Sequence, residues 1–277
     1  MTLATLSDVL QPALKNGYAV AGLVTLGWED MRAYVAAAEA EGVPVILQAG
    51  PGCRAHTPLP ILGNMFRYLA EQASIPVVAH LDHGYTIEEC RQALDCGFTS
   101  VMFDGSRKSL LQNIDETAAI AEMAHAAGVS CEGEIGFVGY SGGEGSAGTD
   151  PQEAAQFAHE TGVDAMAISV GNVHLQQDKQ GGGLDEARIR AIEALTSLPL
   201  VIHGGSGVPL AQRRTLALRS NICKFNIGTE LRMAFGDALR TAVNRDSARF
   251  DRISTLSETH DPVVAAARRV LNSLKRG

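Results

Sequence analysis

Polar side chains stand at the ends of several short apolar runs, and their types are those of metal ligands and acid–base catalysts. The runs lie far apart in the chain, so no single local motif holds the set. Histidines grouped with carboxylates are typical of a divalent-metal site, and three neutral imidazoles suit zinc while leaving a position open for substrate. The candidates are His80, Asp82, His83, Asp104, Glu132, Glu134, His174, His203 and Asn226.

The elements that must position these residues repeat along the chain. Each apolar or β-branched run is followed by a turn and then by a helical stretch rich in Ala, Leu and Glu. The runs begin at Tyr18, Val43, Val77, Ser100, Val129, Ala165, Leu200 and Ile222. The helical stretches lie around 28–41, 60–73, 86–96, 108–127, 151–161, 185–195, 209–219 and 229–243. Eight strand–helix units in roughly 250 residues predict an α/β fold, a (β/α)8 TIM barrel formed as a single domain over residues 1–277.

Two further helices are predicted outside the eight units, at Ser7–Asn16 and at Val263–Arg276. A doubly wound open sheet is the alternative fold, because periodicity alone does not show closure. In a barrel the carboxyl ends of the strands meet at one rim, where active sites of this fold are built. His83, His174 and His203 are therefore expected to converge. The other histidines that follow no strand, namely His56, His125, His159 and His260, are expected to be ordinary structural residues.

Glycine-rich segments follow the last two predicted strands, at 203–209 and 226–230. Loops at these positions are the usual phosphate site of the fold, where backbone N–H groups and a helix N-terminus face the anion. Simple turns are the alternative. A third segment, 136–150, carries Glu144 and is interpreted as a loop able to close over substrate, or else as a plain connection. Gly181–Gly183 is interpreted as a flexible stretch with no role.

Taken together, these segments resemble the class II, zinc-dependent fructose-bisphosphate and tagatose-bisphosphate aldolases over nearly the whole chain. Single pieces are weakly specific, whereas their joint order and spacing are strongly specific. The matching segments are Tyr18–Val20, Pro44–Gln48, His80–Gly84, Ser100–Ser106, Glu132–Gly136, Gly171–His174, His203–Gly207 and Lys224–Glu230.

The resemblance implies roles for residues of the metal site and of the acid–base chemistry. Asp82 would exchange a proton with the oxygen at the bond made or broken, and Glu144 would be the loop carboxylate that moves the carbon-bound proton. The implied zinc ligands are His83, His174 and His203, with Asp104 and Glu134 able to hold the metal in an alternative position.

The resemblance also implies a substrate and partners. The substrate would be a ketose phosphate or bisphosphate, such as fructose or tagatose 1,6-bisphosphate, cleaved to dihydroxyacetone phosphate and an aldehyde. A monovalent cation, Na⁺ or K⁺, often lies near the phosphate in this family, and the chain would form a homodimer or homotetramer. The implied cradle for the ketone donor and its phosphate is Gly204, Ser206, Asn226, Gly228 and Thr229.

Four departures from the family pattern bear on specificity. After the first strand the chain reads 22–28 without the usual Asn, and after the second it reads 48–52 without the usual Ser. Leu175 stands where Gly is usual, and Gly228 stands where Asp or Ala is common. The donor half therefore matches the family and the acceptor half differs. We expect that the acceptor aldehyde is not glyceraldehyde 3-phosphate, or that its phosphate is held differently.

Two other functions fit parts of the pattern. A metal-dependent hydrolase would use the paired histidines His80 and His83, but the phosphate loops fit an aldolase better. A non-catalytic paralogue would bind a sugar phosphate, but the full set of catalytic residue types disfavours it. Lys224 offers an amine for a Schiff base, which zinc chemistry does not require.

Composition excludes several function classes. A formal net charge of −8 and an aromatic content of 5% disfavour a nucleic-acid-binding surface. No apolar run approaches the roughly 20 residues of a membrane span, and the N-terminus does not have the pattern of a secretory signal. The five cysteines are scattered, which favours reduced thiols and a cytoplasmic protein.

Overall fold

Eight parallel strands close into a barrel in the computed structural model, which describes residues 2–176, 183–246 and 248–276. The barrel strands are β2 (Val20–Val24), β3 (Val45–Ala49), β4 (Val77–Gly84), β5 (Ser100–Phe103), β6 (Ser130–Ile135), β7 (Ala165–Ile168), β8 (Leu200–Ile202) and β9 (Ile222–Ile227). A two-residue strand, β1 (Leu3–Ala4), pairs with the start of β4 outside the barrel. Each barrel strand pairs in parallel with the next.

Pairing between the first and last barrel strands decides between the two predicted folds. Val20 of β2 lies in register with Lys224 of β9, and the pairing continues to Leu23 and Ile227. An open doubly wound sheet would leave these edges unpaired, so the (β/α)8 TIM barrel is confirmed and the alternative is wrong.

Helices alternate with the strands and surround the barrel. They are α1 (Leu6–Asn16), α2 (Trp28–Glu41), α3 (Pro51–His56), α4 (Leu59–Gln72), α5 (Ile87–Asp95), α6 (Leu110–Ala126), α7 (Pro151–Thr161), α8 (Glu186–Glu193), α9 (Leu210–Arg219), α10 (Thr229–Arg245), α11 (Arg252–Ser257) and α12 (His260–Leu274). The two helices that the sequence did not predict, α3 and α11, span six residues each. So short a helix shows no apolar period along the chain. The last helix begins three residues before its predicted start, at His260.

The interior has two apolar layers. One lies between the strands and the ring of helices and includes Phe66, Phe98 and Phe157. The other lies inside the amino-terminal end of the barrel, where Leu6 and Leu10 of α1 pack in one cluster with inward residues of the strands. Because α1 closes that end, the opposite rim is the open end of the barrel. Within the described ranges no helix combines the length and apolar character needed to cross a bilayer.

One predicted segment falls partly outside what the structure describes, and another is described in full. Gly181 and Gly182 of the flexible stretch belong to residues 177–182, which lie outside the described ranges. The segment 136–150 is described throughout and is more than a plain connection. Phe137 and Ala147 exchange backbone hydrogen bonds of 2.8 Å, and Ser141 N–H donates to the carbonyl of His174 at 2.9 Å. The segment is thereby attached to one of the candidate metal ligands.

Candidate active site

Three imidazoles converge at the carboxyl-terminal rim of the barrel. His83 ends β4, His174 follows β7 and His203 follows β8. The ring centroids of His83 lie 5.2 Å from His174 and 4.7 Å from His203. One nitrogen from each ring lies within 4.8 Å of the others, the spacing of a metal site. The strand ends thus bring together residues separated by up to 120 positions.

A second group of possible ligands shares His83 with two carboxylates. One ligand atom each of His83, Asp104 and Glu134 also lie within 4.8 Å of one another. Asp104 follows β5 and accepts a 2.8 Å hydrogen bond from His83 Nδ1. Ser106 holds its other oxygen through a hydroxyl bond of 2.6 Å. The structure therefore places all five predicted metal-binding residues around one point.

Two buried atoms at this point have no hydrogen-bond partner among the described residues. They are His203 Nδ1 and Glu134 Oε2, which lie 3.5 Å apart. An unpaired buried acceptor is costly, since it has lost water and gained nothing in exchange. A bound cation would satisfy both atoms, and three imidazole nitrogens are a donor set that zinc prefers. The residues present therefore fit a zinc ion.

Burial and neighbouring charges set the protonation of the three histidines. Burial would lower the pKa of His83, but Asp82, Asp104 and Glu134 outweigh it and raise that pKa to about 9. Burial, assisted by the charge of His83, lowers the pKa of His174 to about 4. Burial likewise lowers the pKa of His203 well below its usual value. Two of the three imidazoles are thus neutral at pH 7 and available as ligands.

Asp82 lies beside these histidines, with its Oδ1 4.0 Å from His83 Nε2. Burial would raise the pKa of this carboxyl, but the charges of His83, His203 and Lys224 outweigh it and hold the pKa below its usual range. Asn226 Nδ2 donates to Asp82 Oδ1 at 3.3 Å. The carboxylate is therefore ionised at neutral pH and oriented from β9, as a general base requires.

Gln48 is a site residue to which the sequence assigned no role. Its side chain is fully buried, yet both amide atoms and Asn226 Oδ1 have no partner among the described residues. Gly22 makes room for these groups, because a methyl group there would lie 1.6 Å from Gln48 Oε1 and 2.9 Å from Asn226 Oδ1. The unpaired amide of Gln48 therefore lies close to Asn226, the residue that donates to Asp82, although Gln48 itself does not line the cavity.

The predicted phosphate cradle lies on the same rim. Gly204 has φ 64° and lies against the Val173 carbonyl, so close that an added methyl group would sit 2.2 Å from that oxygen. Gly205–Gly207 then forms one turn of 3₁₀ helix, and Gly228 is the residue before α10. Ser206 Oγ accepts a 3.4 Å hydrogen bond from the N–H of Glu230. Both glycine segments thus present backbone and a helix N-terminus toward one cavity.

That cavity, of about 260 Å³, joins the cradle to the metal site. It extends over β2 and β3, where Val24, Leu26, Gly50 and Gly52 line it. Among the described lining residues, Arg232 carries the only lysine or arginine charge. The cavity therefore has two sides. Polar side chains line the side over β4 to β9, whereas few polar side chains line the side over β2 and β3.

Glu144 lies apart from the other predicted site residues. It is exposed and does not line the cavity. Its Oε2 accepts a 2.7 Å hydrogen bond from Arg107, whose guanidinium also lies 4.3 Å above the ring of Phe137. Tyr140 of the same segment lines the cavity and stacks on His174, with ring centroids 4.8 Å apart.

The chain matches one protein family almost from end to end. Residues 4–276 match the family described as "Fructose-bisphosphate aldolase class-II". The chain belongs to the class II fructose-bisphosphate aldolase family. It is therefore an aldolase, a lyase of a class that is zinc-dependent. The resemblance inferred from the motifs is confirmed.

Relatives and solved structures agree with this assignment. A protein named fructose-bisphosphate aldolase from Geobacillus stearothermophilus is 37% identical over 273 residues, covering 96% of this chain and 94% of the relative. One named 6-phospho-5-dehydro-2-deoxy-D-gluconate aldolase from Shouchella clausii is also 37% identical, covering 93% and 89%. The crystal structure of the YdjI aldolase from Escherichia coli K12 superposes with a TM-score of 0.85 at 29% identity, covering 98% and 97%.

Proposed function

We propose that this aldolase cleaves a ketose phosphate, such as fructose or tagatose 1,6-bisphosphate, into dihydroxyacetone phosphate and an aldehyde. The observation that carries the proposal is the meeting of three imidazoles and the Asp82 carboxylate at one end of a cavity whose other end is a backbone cradle. The family supplies the class of reaction, and the two ends of the cavity supply the class of substrate.

His83, His174 and His203 would hold the zinc ion, with Asp104 and Glu134 as alternative ligands. The two unpaired atoms, His203 Nδ1 and Glu134 Oε2, support this assignment because a cation would satisfy both. When bound, zinc supplies a Lewis acid for the negative charge that cleavage leaves on the ketone half.

Asp82 would take the proton from the hydroxyl group on the carbon beyond the cleaved bond. As that oxygen forms the aldehyde carbonyl, the carbon–carbon bond breaks and its electron pair stays on the ketone half. In the synthetic direction Asp82 returns the proton. Its position beside His83 and its hydrogen bond from Asn226 favour the ionised form that this step needs.

The cradle of Gly204, Ser206, Asn226, Gly228 and Thr229 would bind the donor and its phosphate. Gly204, Ser206, Gly228 and Thr229 all line the cavity, as does Asn226 at the end nearer Asp82. We further propose a Na⁺ or K⁺ ion beside this phosphate, since the cradle carries no cationic side chain of its own. An activity that differs between potassium and sodium buffers at equal ionic strength would test it.

Glu144 would protonate the carbon next to the ketone carbonyl, where cleavage leaves the electron pair, and would remove that proton in synthesis. In the present arrangement it pairs with Arg107 outside the cavity. The step therefore requires segment 136–150 to move, carrying Glu144 from Arg107 toward the donor. Exposure of both partners favours exchange, because such surface pairs contribute little stability.

The acceptor half of the substrate would lie over β2 and β3. Gly50 and Gly52 leave backbone there, and a methyl group on Gly52 would meet nothing within 4 Å. The acceptor would therefore be an aldehyde other than glyceraldehyde 3-phosphate, or one whose anionic end is held by Arg232. Arg232 lines the cavity together with Val24 and Cys53 of this side, and its Nε lies 3.8 Å from where a methyl group on Gly228 would be.

A coupled assay that detects triose phosphate tests the proposed function. The enzyme is offered a panel of ketose 1-phosphates and 1,6-bisphosphates, then treated with a chelator and reloaded with zinc. We expect cleavage that disappears with the chelator and returns with zinc. Cleavage that persists without divalent metal would contradict the zinc mechanism. Binding without cleavage of any member would indicate the non-catalytic alternative, and hydrolysis of phosphate or amide bonds would indicate a hydrolase.

The same assay addresses specificity. Fructose 1,6-bisphosphate cleaved far more efficiently than every other ketose phosphate would contradict the altered acceptor. We also propose that the enzyme is cytoplasmic and forms a homodimer or homotetramer. The strongly exposed side chains of Phe250 and Ile253 support self-association, which light scattering after size-exclusion chromatography would measure.

A further inference from the structure

A chain of buried charged groups runs through the barrel interior to one of the candidate ligands. Lys224 of β9 donates to Glu132 Oε2 at 2.6 Å, and His203 Nε2 lies 3.1 Å from Glu132 Oε1. All three side chains are fully buried. Glu132 is two residues from Glu134 on the same strand, so both carboxylates point into the barrel and approach His203 from different sides.

The same lysine is held by a second branch. Lys224 Nζ lies 3.3 Å from His80 Nε2, and His80 Nδ1 lies 2.9 Å from Ser100 Oγ. Lysine can only donate, so His80 Nε2 accepts and His80 Nδ1 donates to the serine. The ammonium group is therefore fixed between two strands and cannot turn away from Glu132.

This arrangement settles which nitrogen of His203 carries the proton. A carboxylate can only accept, so the hydrogen bond to Glu132 places the proton on Nε2. The lone pair of Nδ1 is then left facing Glu134 Oε2 at 3.5 Å, on the side of the other two histidines. A buried ion pair adds little net stability compared with an apolar pair of the same volume. The ion pair between Lys224 and Glu132 therefore matters more for the orientation of the His203 ring than for stability.

We propose that Glu132 and Lys224 are positioning residues of the metal site: Glu132 fixes the tautomer and ring orientation of His203, and Lys224 holds Glu132 in place. The inference rests on the ligand role of His203 in the proposed function. Neither residue touches the substrate cavity. Glu132 therefore acts on the site through His203, whereas the charge of Lys224 also acts on Asp82. For this reason zinc binding, and not activity, is the property to measure.

Zinc affinity, measured by competition with a chromogenic chelator, tests the proposal without reference to catalysis. We expect Glu132→Ala and Lys224→Met each to weaken zinc binding by about 10- to 100-fold, the range for partners of ligating histidines. Ser100→Ala is the matched control, since it cuts only the branch through His80, and its zinc affinity should stay close to that of the wild type. The absorption spectrum of the cobalt-loaded variants should change for the first two and not for the third.

A double substitution separates positioning from simple loss of stability. Glu132→Gln keeps an oxygen that can accept from His203 and no longer needs a cation beside it. Added to Lys224→Met, it should recover most of the zinc affinity lost by Lys224→Met alone. Affinities equal to wild type in folded Glu132→Ala and Lys224→Met, or a loss of the same size in Ser100→Ala, would overturn the proposal.

The wild-type protein provides a test that needs no variant to fold. In metal-free protein labelled with ¹⁵N-histidine, two-bond proton–nitrogen correlations should show His203 neutral and protonated at Nε2. Protonation at Nδ1 would overturn the proposal. These readouts are independent of aldol cleavage, so an enzyme that binds zinc through this arrangement but cleaves no ketose phosphate would contradict the proposed function alone.

Discussion

The two sides of the cavity differ in how firmly their side chains are held. On the metal side His83 is held by Asp104, which is held by Ser106, and His203 is held by Glu132. On the side over β2 and β3, where we place the acceptor and which we call the acceptor side, the lining consists of apolar side chains and glycine backbone, with Arg232 as the one lysine or arginine among the described lining residues. In the proposed function, bond cleavage would therefore depend on side chains that are held in place before substrate binds, whereas the choice of acceptor would depend on a few side chains that are not held in this way.

Replacing Asp82, whose carboxylate lies between the two sides, should have the largest effect on activity. We expect Asp82→Ala to lower kcat by at least about 10²-fold, the contribution of a positioned acid–base group, while zinc content stays unchanged. Steady-state cleavage and metal analysis measure the two quantities. Asp82→Asn serves as the isosteric control and should be equally impaired. Near-normal activity in either variant would refute the role given to Asp82.

The second largest effect is expected for Glu144, in the segment 136–150 that is attached to His174. Glu144→Gln should slow exchange of the carbon-bound proton of dihydroxyacetone phosphate with deuterated solvent by about 10²-fold. Proton NMR of the triose phosphate measures this exchange separately from bond cleavage. Glu116→Gln alters another exposed carboxylate that pairs with Lys108, and it should exchange normally. Unimpaired exchange in Glu144→Gln would assign the step to another group.

The acceptor side should respond selectively. Arg232→Met removes the only arginine charge of the acceptor side. KM should therefore rise about 10-fold or more for substrates with an anionic acceptor end, since a hydrogen bond to a charged group contributes about 1.5–3 kcal/mol. KM for ketose 1-phosphates with a neutral acceptor end should not change. Arg32→Met, an exposed arginine of α2 outside this cavity, is the control. A parallel rise for both substrate classes would place Arg232 on the donor phosphate instead.

The smallest effect concerns backbone strain beside a ligand. Leu175 has φ 56°, a left-handed conformation that explains why glycine is usual there and that costs a side chain roughly 1–2 kcal/mol. Leu175→Gly should therefore raise the free energy of unfolding by up to about 1 kcal/mol, after the entropy cost of glycine. Leu26→Gly, at a cavity leucine without positive φ, should lower it. Urea unfolding distinguishes the two signs.

The sequence was informative where a residue's position along a strand reveals its surroundings. Polar residues at strand ends were found because apolar runs stop at them, and closure of the barrel then places them on one rim. Glu132 and Lys224 were visible as charges on apolar strands, Glu132 as a metal-site candidate and Lys224 as a possible Schiff-base amine. Their partnership was not predictable, because it joins strands separated by 92 positions.

Other features depended on contacts that spacing does not show. The placement of Gln48 close to Asn226 follows from the space left by Gly22, a close approach between neighbouring strands. The attachment of Tyr140 to His174 follows from backbone hydrogen bonds between two loops. The short helices α3 and α11 lack the length over which a helical period can be recognised.

Crystallography of the zinc-loaded enzyme at the zinc absorption edge tests the central claim most directly. We predict one anomalous peak at about 2.0–2.1 Å from a nitrogen of each of His83, His174 and His203, the usual zinc–nitrogen distance. The nitrogen on His203 should be Nδ1, with Asp82 beside the metal and not bound to it. Zinc held without His174 and His203, or no zinc at this rim, would contradict the account.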